Sequence, residues 1–363
     1  MTDTDNIHVL QFDLFPDNFS RETQVTLHPL KTIPSRGLAS YYMLNLLFNW
    51  KRVVNIIKDE KIDVVVVSNL LPGIPALLGS QLGCKMVFDL KDMFSDNSAV
   101  YYEDALLSSM IAAASEWLLQ RLLKGADYVI AVSMFLVNYV RRIGIDNVEL
   151  IPNGADLGIF KPNLNPDGLA SSFKEALEGS KIVGVVGTMD RWLDFSTVLT
   201  SLKELSTKMD VKLLVVGGKM VTDFFDETKA EVKRMGLQDR VVFTGVVPHR
   251  DVPYFVSLMD VCLIPMRPEL RLNQARCPDK LFEYLACGKP VVSTRISEVL
   301  RLGGDAVRTY NDSSSLTHTL EAVLFDGGLR ASMEKAALDI AKDCDWRFIA
   351  KRYRRTLEEV LGD

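Results

Sequence analysis

Short apolar runs rich in Val, Ile and Leu alternate along this chain with longer segments whose apolar residues recur every three or four positions. The first pattern predicts strands buried on both faces, and the second predicts helices that cover them. In the first half the runs are residues 63–68 (DVVVVS), 85–90 (KMVFDL) and 128–133 (YVIAVS). In the second half they are 182–188 (IVGVVGT), 212–218 (KLLVVGG), 241–245 (VVFTG), 261–265 and 290–294. The alternation predicts an α/β fold of parallel sheets, and its recurrence predicts two Rossmann-like domains facing across a cleft.

Between the two series, residues 151–168 (IPNGADLGIFKPNLNPDG) are dominated by Pro, Gly, Asn and Asp and keep no periodicity. That composition marks a junction. The expected division is residues 1–155 and 156–345, followed by a last helical segment, 346–363.

A chain of 363 residues with 48% hydrophobic and 25% charged side chains is an ordinary globular composition, which excludes the disordered and fibrous classes. Its 42 basic residues against 47 acidic ones, a net charge of -5, exclude duplex nucleic acid as the main partner. Five Cys, with no C-x-x-C pair, suit reduced thiols in a cytoplasm. The acidic first six residues are not a secretory signal. The most apolar stretch, 108–123, is interrupted by Glu116, Gln120 and Arg121, so no membrane span is expected.

Several chemistries are absent. The glycine pairs Gly184/Gly187 and Gly217/Gly218 do not complete G-x-G-x-x-G, which demotes a dinucleotide enzyme. No G-x-x-x-x-G-K-[ST], H-E-x-x-H or G-x-S-x-G occurs. D-x-D appears only as Asp3/Asp5 and Asp343/Asp345, neither at a strand end, and no metal site is expected.

The most informative stretch is residues 277–294, CPDKLFEYLACGKPVVST. It predicts a helix over 278–287, with Pro278 at the first helical position and Gly288 just past the end. A helix start presents unpaired N–H groups and the positive end of the macrodipole, a ready site for a diphosphate, and Lys280 adds a full charge there. Glu283 lies one turn on, where its two oxygens can accept hydrogen bonds from paired ribose hydroxyls. The competing reading is an ordinary capped helix with an i, i+3 ion pair.

Two further groups sit at predicted strand ends. Gly187 and Thr188 close residues 182–188 and let a ligand approach the backbone, with Arg191 placed to face a phosphate or else to pair with Asp190 or Asp194. Lys91 and Asp92 follow residues 85–90, where Asp92 can orient an acceptor hydroxyl and Lys91 can meet a phosphate or sugar oxygen. Asp92 can equally cap the next segment. The four His residues, His8, His28, His249 and His318, are not placed at predicted cleft strand ends.

Together these residues resemble the retaining nucleotide-sugar glycosyltransferases of family four, built on the two-domain GT-B fold. The resemblance rests on IPNGAD (151–156), KLLVVGGK, VVFTGVVPHRDVPYFVSLMDVCLIP, EYLACGKPVV (283–292) and the terminal WRFIAKRYRRTLEEVL. It implies an acceptor domain, a donor domain and a last helix returning to the first domain. It also implies that Glu283 binds the donor ribose, that Gly187 and Thr188 approach the diphosphate, and that Val246 and Val247 line the base through their backbone. Asn273, Arg276, Pro278 and Leu281 complete the expected donor-binding set, and Lys280, Arg191, Asp92 and Lys91 the catalytic one. The chain departs from the family pattern in three places. Ala275 stands where a second Glu is usual, Thr188 where Arg is usual, and Lys91 where His is usual. The opening strand and its paired-glycine loop are not found before Ile7, which leaves Arg36-Gly37 as an altered loop or a chain that begins late.

The expected function is sugar transfer from a UDP- or GDP-sugar to a hydroxyl of a glycan or lipid-linked acceptor, with retention and without a tightly bound cofactor or metal. The alternatives are a non-catalytic subunit of the same fold and a sugar-nucleotide epimerase. Residues 37–58, GLASYYMLNLLFNWKRVVNIIK, mix aromatic and apolar residues with Lys51, Arg52 and Lys58, a pattern suited either to packing on the first sheet or to peripheral contact with an anionic inner-membrane face.

Overall fold

The computed structural model describes residues 7–12, 25–30, 32–33, 38–81, 83–96, 104–166, 169, 171–219 and 222–362. The pair Arg36-Gly37 and the acidic start lie outside them. The chain opens with β1 (His8–Phe12) and β2 (Thr26–Leu30), a parallel pair, then α1 (Leu38–Asp59). There follow β3 (Val64–Val67), α2 (Leu70–Ser80), β4 (Lys85–Leu90), α3 (Ala105–Gly125), β5 (Tyr128–Ala131), α4 (Met134–Arg142) and β6 (Val148–Leu150). Strands β3 to β6 form a parallel sheet in that order.

The second domain continues with α5 (Ser171–Leu177), β7 (Lys181–Val186), α6 (Phe195–Leu205), β8 (Val211–Val216), α7 (Phe224–Arg234), β9 (Val241–Gly245) and α8 (Val252–Ser257). Next come β10 (Val261–Ile264), α9 (Arg271–Ala275), α10 (Asp279–Ala286), β11 (Val291–Ser293), α11 (Ser297–Gly303), β12 (Val307–Thr309), α12 (Ser313–Phe325), α13 (Gly327–Ala341) and α14 (Trp346–Leu361). Its parallel sheet has the order β12-β11-β10-β7-β8-β9. The apolar runs became strands because both faces are covered: β4, β7, β8 and β10 are almost wholly buried. Helix starts follow their caps, with Asp104, Ser133, Asp194 and Asp312 each accepting an N–H of the first turn.

Helix α14 returns to the first sheet. Ile349 joins Val87, Ile130 and Ile151 in one apolar cluster, with Tyr353, Leu357 and Val360 packed against it. The Thr356 hydroxyl donates to Glu149 Oε2 at 2.6 Å, and Arg352 donates to the Leu150 carbonyl at 2.7 Å. Asp345, one of the D-x-D aspartates, caps α14 and is bonded by Arg347. Among the described residues, no helix is long and apolar enough to cross a membrane.

Near the carboxyl end of β4, the buried Asp89 accepts from the Tyr353 hydroxyl of α14 and pairs with Lys91 Nζ at 3.3 Å. Burial pushes its carboxyl above the usual range, against the pull of Lys91 and Tyr353. A folded-state pKa raised above the unfolded one means stability that is full at low pH and is lost as pH rises through the folded value. Asp89→Asn removes that loss. The variant is expected to gain stability relative to wild type as pH rises past about 4, the ordinary carboxylate value; urea midpoints that track wild type at every pH would contradict the assignment.

Candidate functional site

Strand order decides where a ligand can enter. In the second sheet β8 and β9 lie on one side of β7, and β10 to β12 on the other, so the connections leaving β7 and β10 diverge. Such a switch point opens a crevice beyond the carboxyl ends of the strands. Here β10 pairs with β7 only at Val261↔Val183 and Cys262↔Gly184, and the last residues of β7 part from it. The Val186 N–H that would otherwise be stranded donates to the hydroxyl of Tyr284, fully buried on α10, at 2.8 Å. The crevice above, about 240 Å³, is lined by Gly187 and Thr188 beyond β7, Pro265 and Met266 beyond β10, and Pro278 and Lys280 at the start of α10.

Glycines form the rim. Gly187, Gly217 and Gly245 stand at the carboxyl ends of β7, β8 and β9 with φ of +137°, +140° and +71°. A Cβ on Gly217 would lie 1.9 Å from the Gly187 carbonyl oxygen, so the two backbones are in direct contact. A Cβ on Gly187 would meet nothing within 4 Å, which leaves that backbone open to a ligand.

Glu283 is only 5% exposed, and its carboxylate is held from two sides. Lys280 Nζ lies 2.7 Å from Oε2, and His249 Nε2 lies 3.1 Å from Oε1. His249 comes from the turn after β9, its ring 5.2 Å from that of Phe160. Sequence reasoning missed it, although it follows the strand VVFTG by four residues and therefore belongs to a carboxyl-edge loop. Pro278 occupies the N-cap rather than the first helical position, with φ −65° and ψ 120°. The first helical residue is Asp279, an acid that complements the positive helix end and shares that position with any bound anion. Leu281 is fully buried in the core, so only its backbone belongs to the helix start.

The remaining expected residues divide. Arg191 turns away from the crevice: its guanidinium is 2.7 Å from Glu227 Oε1 on α7, while its neighbour Asp190 is the buried one, bonded to the Arg191 N–H and the Thr222 hydroxyl. The pairing with Asp190 or Asp194 expected as the alternative is replaced by one with Glu227. Asn273 is fully buried; its amide nitrogen donates to the carbonyls of Trp192 and Arg267, both at 2.9 Å, clamping two loops, while its Oδ1 has no hydrogen-bond partner among the described residues. Ala275 is buried at the domain junction, its carbonyl accepting from Ser133 Oγ at 2.6 Å. Arg276 stacks on the Trp192 ring at 4.6 Å and donates to Asp92 Oδ1 at 3.0 Å, which brings these two predicted residues together across the domains. Lys91 is half-exposed beside Asp89. Val246 is exposed beside Gly218, and Val247 is partly buried against the core. Among the described residues, one group has metal-ligand spacing, His8, His28 and Glu60, and it lies in the first domain outside this crevice.

Two parallel-sheet domains with a switch-point crevice carrying a basic helix start define an α/β protein of the GT-B kind. Residues 6–158 match the model of Glycosyltransferase Family 4, and residues 180–326 that of Glycosyl transferases group 1. The chain belongs to this glycosyltransferase family. It is 26% identical over 288 residues to a putative teichuronic acid biosynthesis glycosyltransferase, TuaH, of Bacillus subtilis, covering 77% of this chain and 68% of that one. It is 27% identical to the 2-deoxystreptamine N-acetyl-D-glucosaminyltransferase of Streptomyces fradiae, covering 72% of this chain but 55% of that relative. Among solved structures, sucrose-phosphate synthase from Thermosynechococcus elongatus superposes with a TM-score of 0.76 at 18% identity, over 93% of this chain and 83% of that one. Anabaena HepE, solved with UDP-glucose, superposes with a TM-score of 0.69 at 19% identity, over 92% and 86%.

The Tyr284 hydroxyl is the acceptor for a buried backbone N–H, and Tyr284→Phe removes it without changing shape. The expected loss is about 1–3 kcal/mol, the usual penalty of a stranded buried donor. Chemical denaturation measures it, and a variant as stable as wild type would show that this bond does not hold the crevice.

Proposed function

We propose that the chain transfers a sugar from a UDP- or GDP-linked donor to a hydroxyl of a glycan or lipid-linked acceptor, with retention of anomeric configuration. The observation that carries this reading is Lys280 lining the switch-point crevice beside the positive-φ Gly187, with Glu283 paired to it on α10. Retention and the choice of nucleotide rest on the family resemblance, and the UDP-glucose bound to Anabaena HepE favours UDP.

The difficult step is departure of a diphosphate. Negative charge growing on it is met by the Lys280 ammonium and the positive end of α10, both fixed in place before reaction. Gly187 and Thr188 offer backbone at the same position, and the backbone of Val246 and Val247 faces the base. A carboxylate has about four lone-pair sites, so Glu283 keeps capacity for ribose hydroxyls beside Lys280 and His249. Asp92, held by Arg276, orients the acceptor hydroxyl at the cleft, and a donor phosphate oxygen takes its proton. With Arg191 turned towards Glu227, charge stabilisation falls to Lys280 and Arg276.

The test is a thermal-shift panel of UDP, GDP, ADP and CMP on wild type and Glu283→Ala. Ligand at about a hundred times its Kd adds ~2.7 kcal/mol to the folded state, or roughly 3–4 °C for a protein of this size. One nucleotide is expected to raise the melting temperature of wild type and to fail on the variant. No shift with any nucleotide sinks the donor assignment. Binding without transfer or hydrolysis of the corresponding labelled sugar nucleotide would instead favour a non-catalytic subunit.

A further inference from the structure

The outward side of the first domain is apolar where an α/β protein ordinarily shows water a polar helix face. On α3, Leu106, Met110 and Trp117 are 73%, 63% and 65% exposed, at a spacing that puts them on one stripe with the exposed Ala113. On α1, Leu44 and Phe48, one turn apart, are also exposed. Helix α2 packs against both helices, contains no charged residue (LLPGIPALLGS) and exposes Leu78. Scattered surface hydrophobes need no explanation, but a patch continued across three neighbouring helices marks a docking surface.

Charge identifies the occupant. The same helices continue into exposed Lys51, Arg52 and Lys58 on α1 and Arg121 and Lys124 on α3, in a chain whose net charge is -5. Among the described residues none of these five cations has a carboxylate partner. The acids on the three helices are Asp59 and Glu116, and Glu116 is turned inward to the hydroxyls of Tyr139 and Ser95. An apolar stripe bordered by unpaired cations is complementary to acyl chains beneath anionic headgroups.

We propose that this face docks on a bilayer containing anionic lipid. Its position relative to the crevice suits that occupant. Helices α2 and α3 follow β3 and β4 of a parallel sheet, so their N-terminal ends lie at its carboxyl edge, where Lys91 and Asp92 face the second domain. Leu106 and Met110 sit in the first two turns of α3. A membrane held there presents lipid-borne hydroxyls at the side of the cleft assigned to the acceptor. Docking deepens the transfer reading by naming the acceptor class, but it is measured without any sugar nucleotide.

Flotation of the full chain with phosphatidylcholine vesicles, with and without phosphatidylglycerol, tests it. Wild type is expected to rise only with the anionic vesicles and to be released by high salt, since screening weakens the charge contribution. The double substitutions Met110→Ser/Trp117→Ser and Lys51→Glu/Arg52→Glu are each expected to lower the bound fraction at least about ten-fold. All four sites are exposed, and circular dichroism melts matching wild type establish that the variants fold. Glu283→Ala is expected to float like wild type, and Met110→Ser/Trp117→Ser to keep the wild-type nucleotide shift, which separates failure of docking from failure of the donor site. Wild type that stays down with both vesicle types, or variants that bind equally well, would overturn the proposal. So would a wild-type dimer that Met110→Ser/Trp117→Ser converts to monomer, because the face would then belong to a second copy.

Discussion

A backbone N–H at the end of β7 has no strand partner on the β10 side, and a buried donor must find an acceptor. The structure answers with the Tyr284 hydroxyl, and most of the site follows from that choice. To bring Tyr284 to Val186, α10 must begin at the mouth of the switch-point crevice, which puts Lys280 there and Glu283 one turn further in. Glu283 is then buried, and a buried carboxylate needs hydrogen-bonding partners. Lys280 supplies one from its own helix, and His249 supplies the other from the loop beyond β9. A single topological feature thus sets the position of a cation and a carboxylate on one helix and of an imidazole 34 residues from that carboxylate in the chain.

The segment that builds the crevice also touches the first domain. Ser133 donates to the Ala275 carbonyl, Asn153 to the Cys277 carbonyl, and the Met134 N–H to Glu298. Arg271 lies over the rings of Phe135 and Tyr139, and Arg276 reaches Asp92. These contacts border an apolar cluster shared by the two domains, in which Leu136 and Val140 of the first join Ala275 and Cys277 of the second. Because they all leave residues 271–298, a change at the start of α10 is transmitted to the relative placement of the two sheets without an intervening element.

The fold was legible because parallel strands buried on both faces must be continuously apolar, and runs such as KMVFDL and KLLVVGG admit little else. β6 and β12 went unread: each has three residues and half-buried positions, too short for a periodicity to register. Around the crevice, the proximity of Lys280 and Glu283 was readable because both belong to one short helix. His249 was not, since its partner lies 34 residues away and the pairing depends on sheet order. Arg191 pairs elsewhere than expected for the opposite reason. It is close to Gly187 in sequence, but the turn closed by the Leu193 N–H on the Asp190 carbonyl buries Asp190 and carries Arg191 outward to Glu227. The clamp that Asn273 forms was not legible, since the two loop carbonyls that take its hydrogens come from residues 192 and 267.

The double engagement of Glu283 bears on how the site handles a ligand. On the proposed reading, were ribose to displace Lys280 from the carboxylate, binding would expose a buried ion pair to rearrangement at the moment the diphosphate also demands that ammonium. Lys280 has three hydrogens on one nitrogen and so can hold Oε2 while still meeting a phosphate oxygen. The carboxylate in turn keeps the ammonium in place before the donor arrives, which is the preorganisation that makes a fixed charge effective on a leaving group. Lys280 and Glu283 therefore act as one unit. Removing either strands the other in a largely buried position, a cost distinct from any contact with the donor. The contribution of each to the ligand is separable only by a double-mutant cycle in which both are removed together.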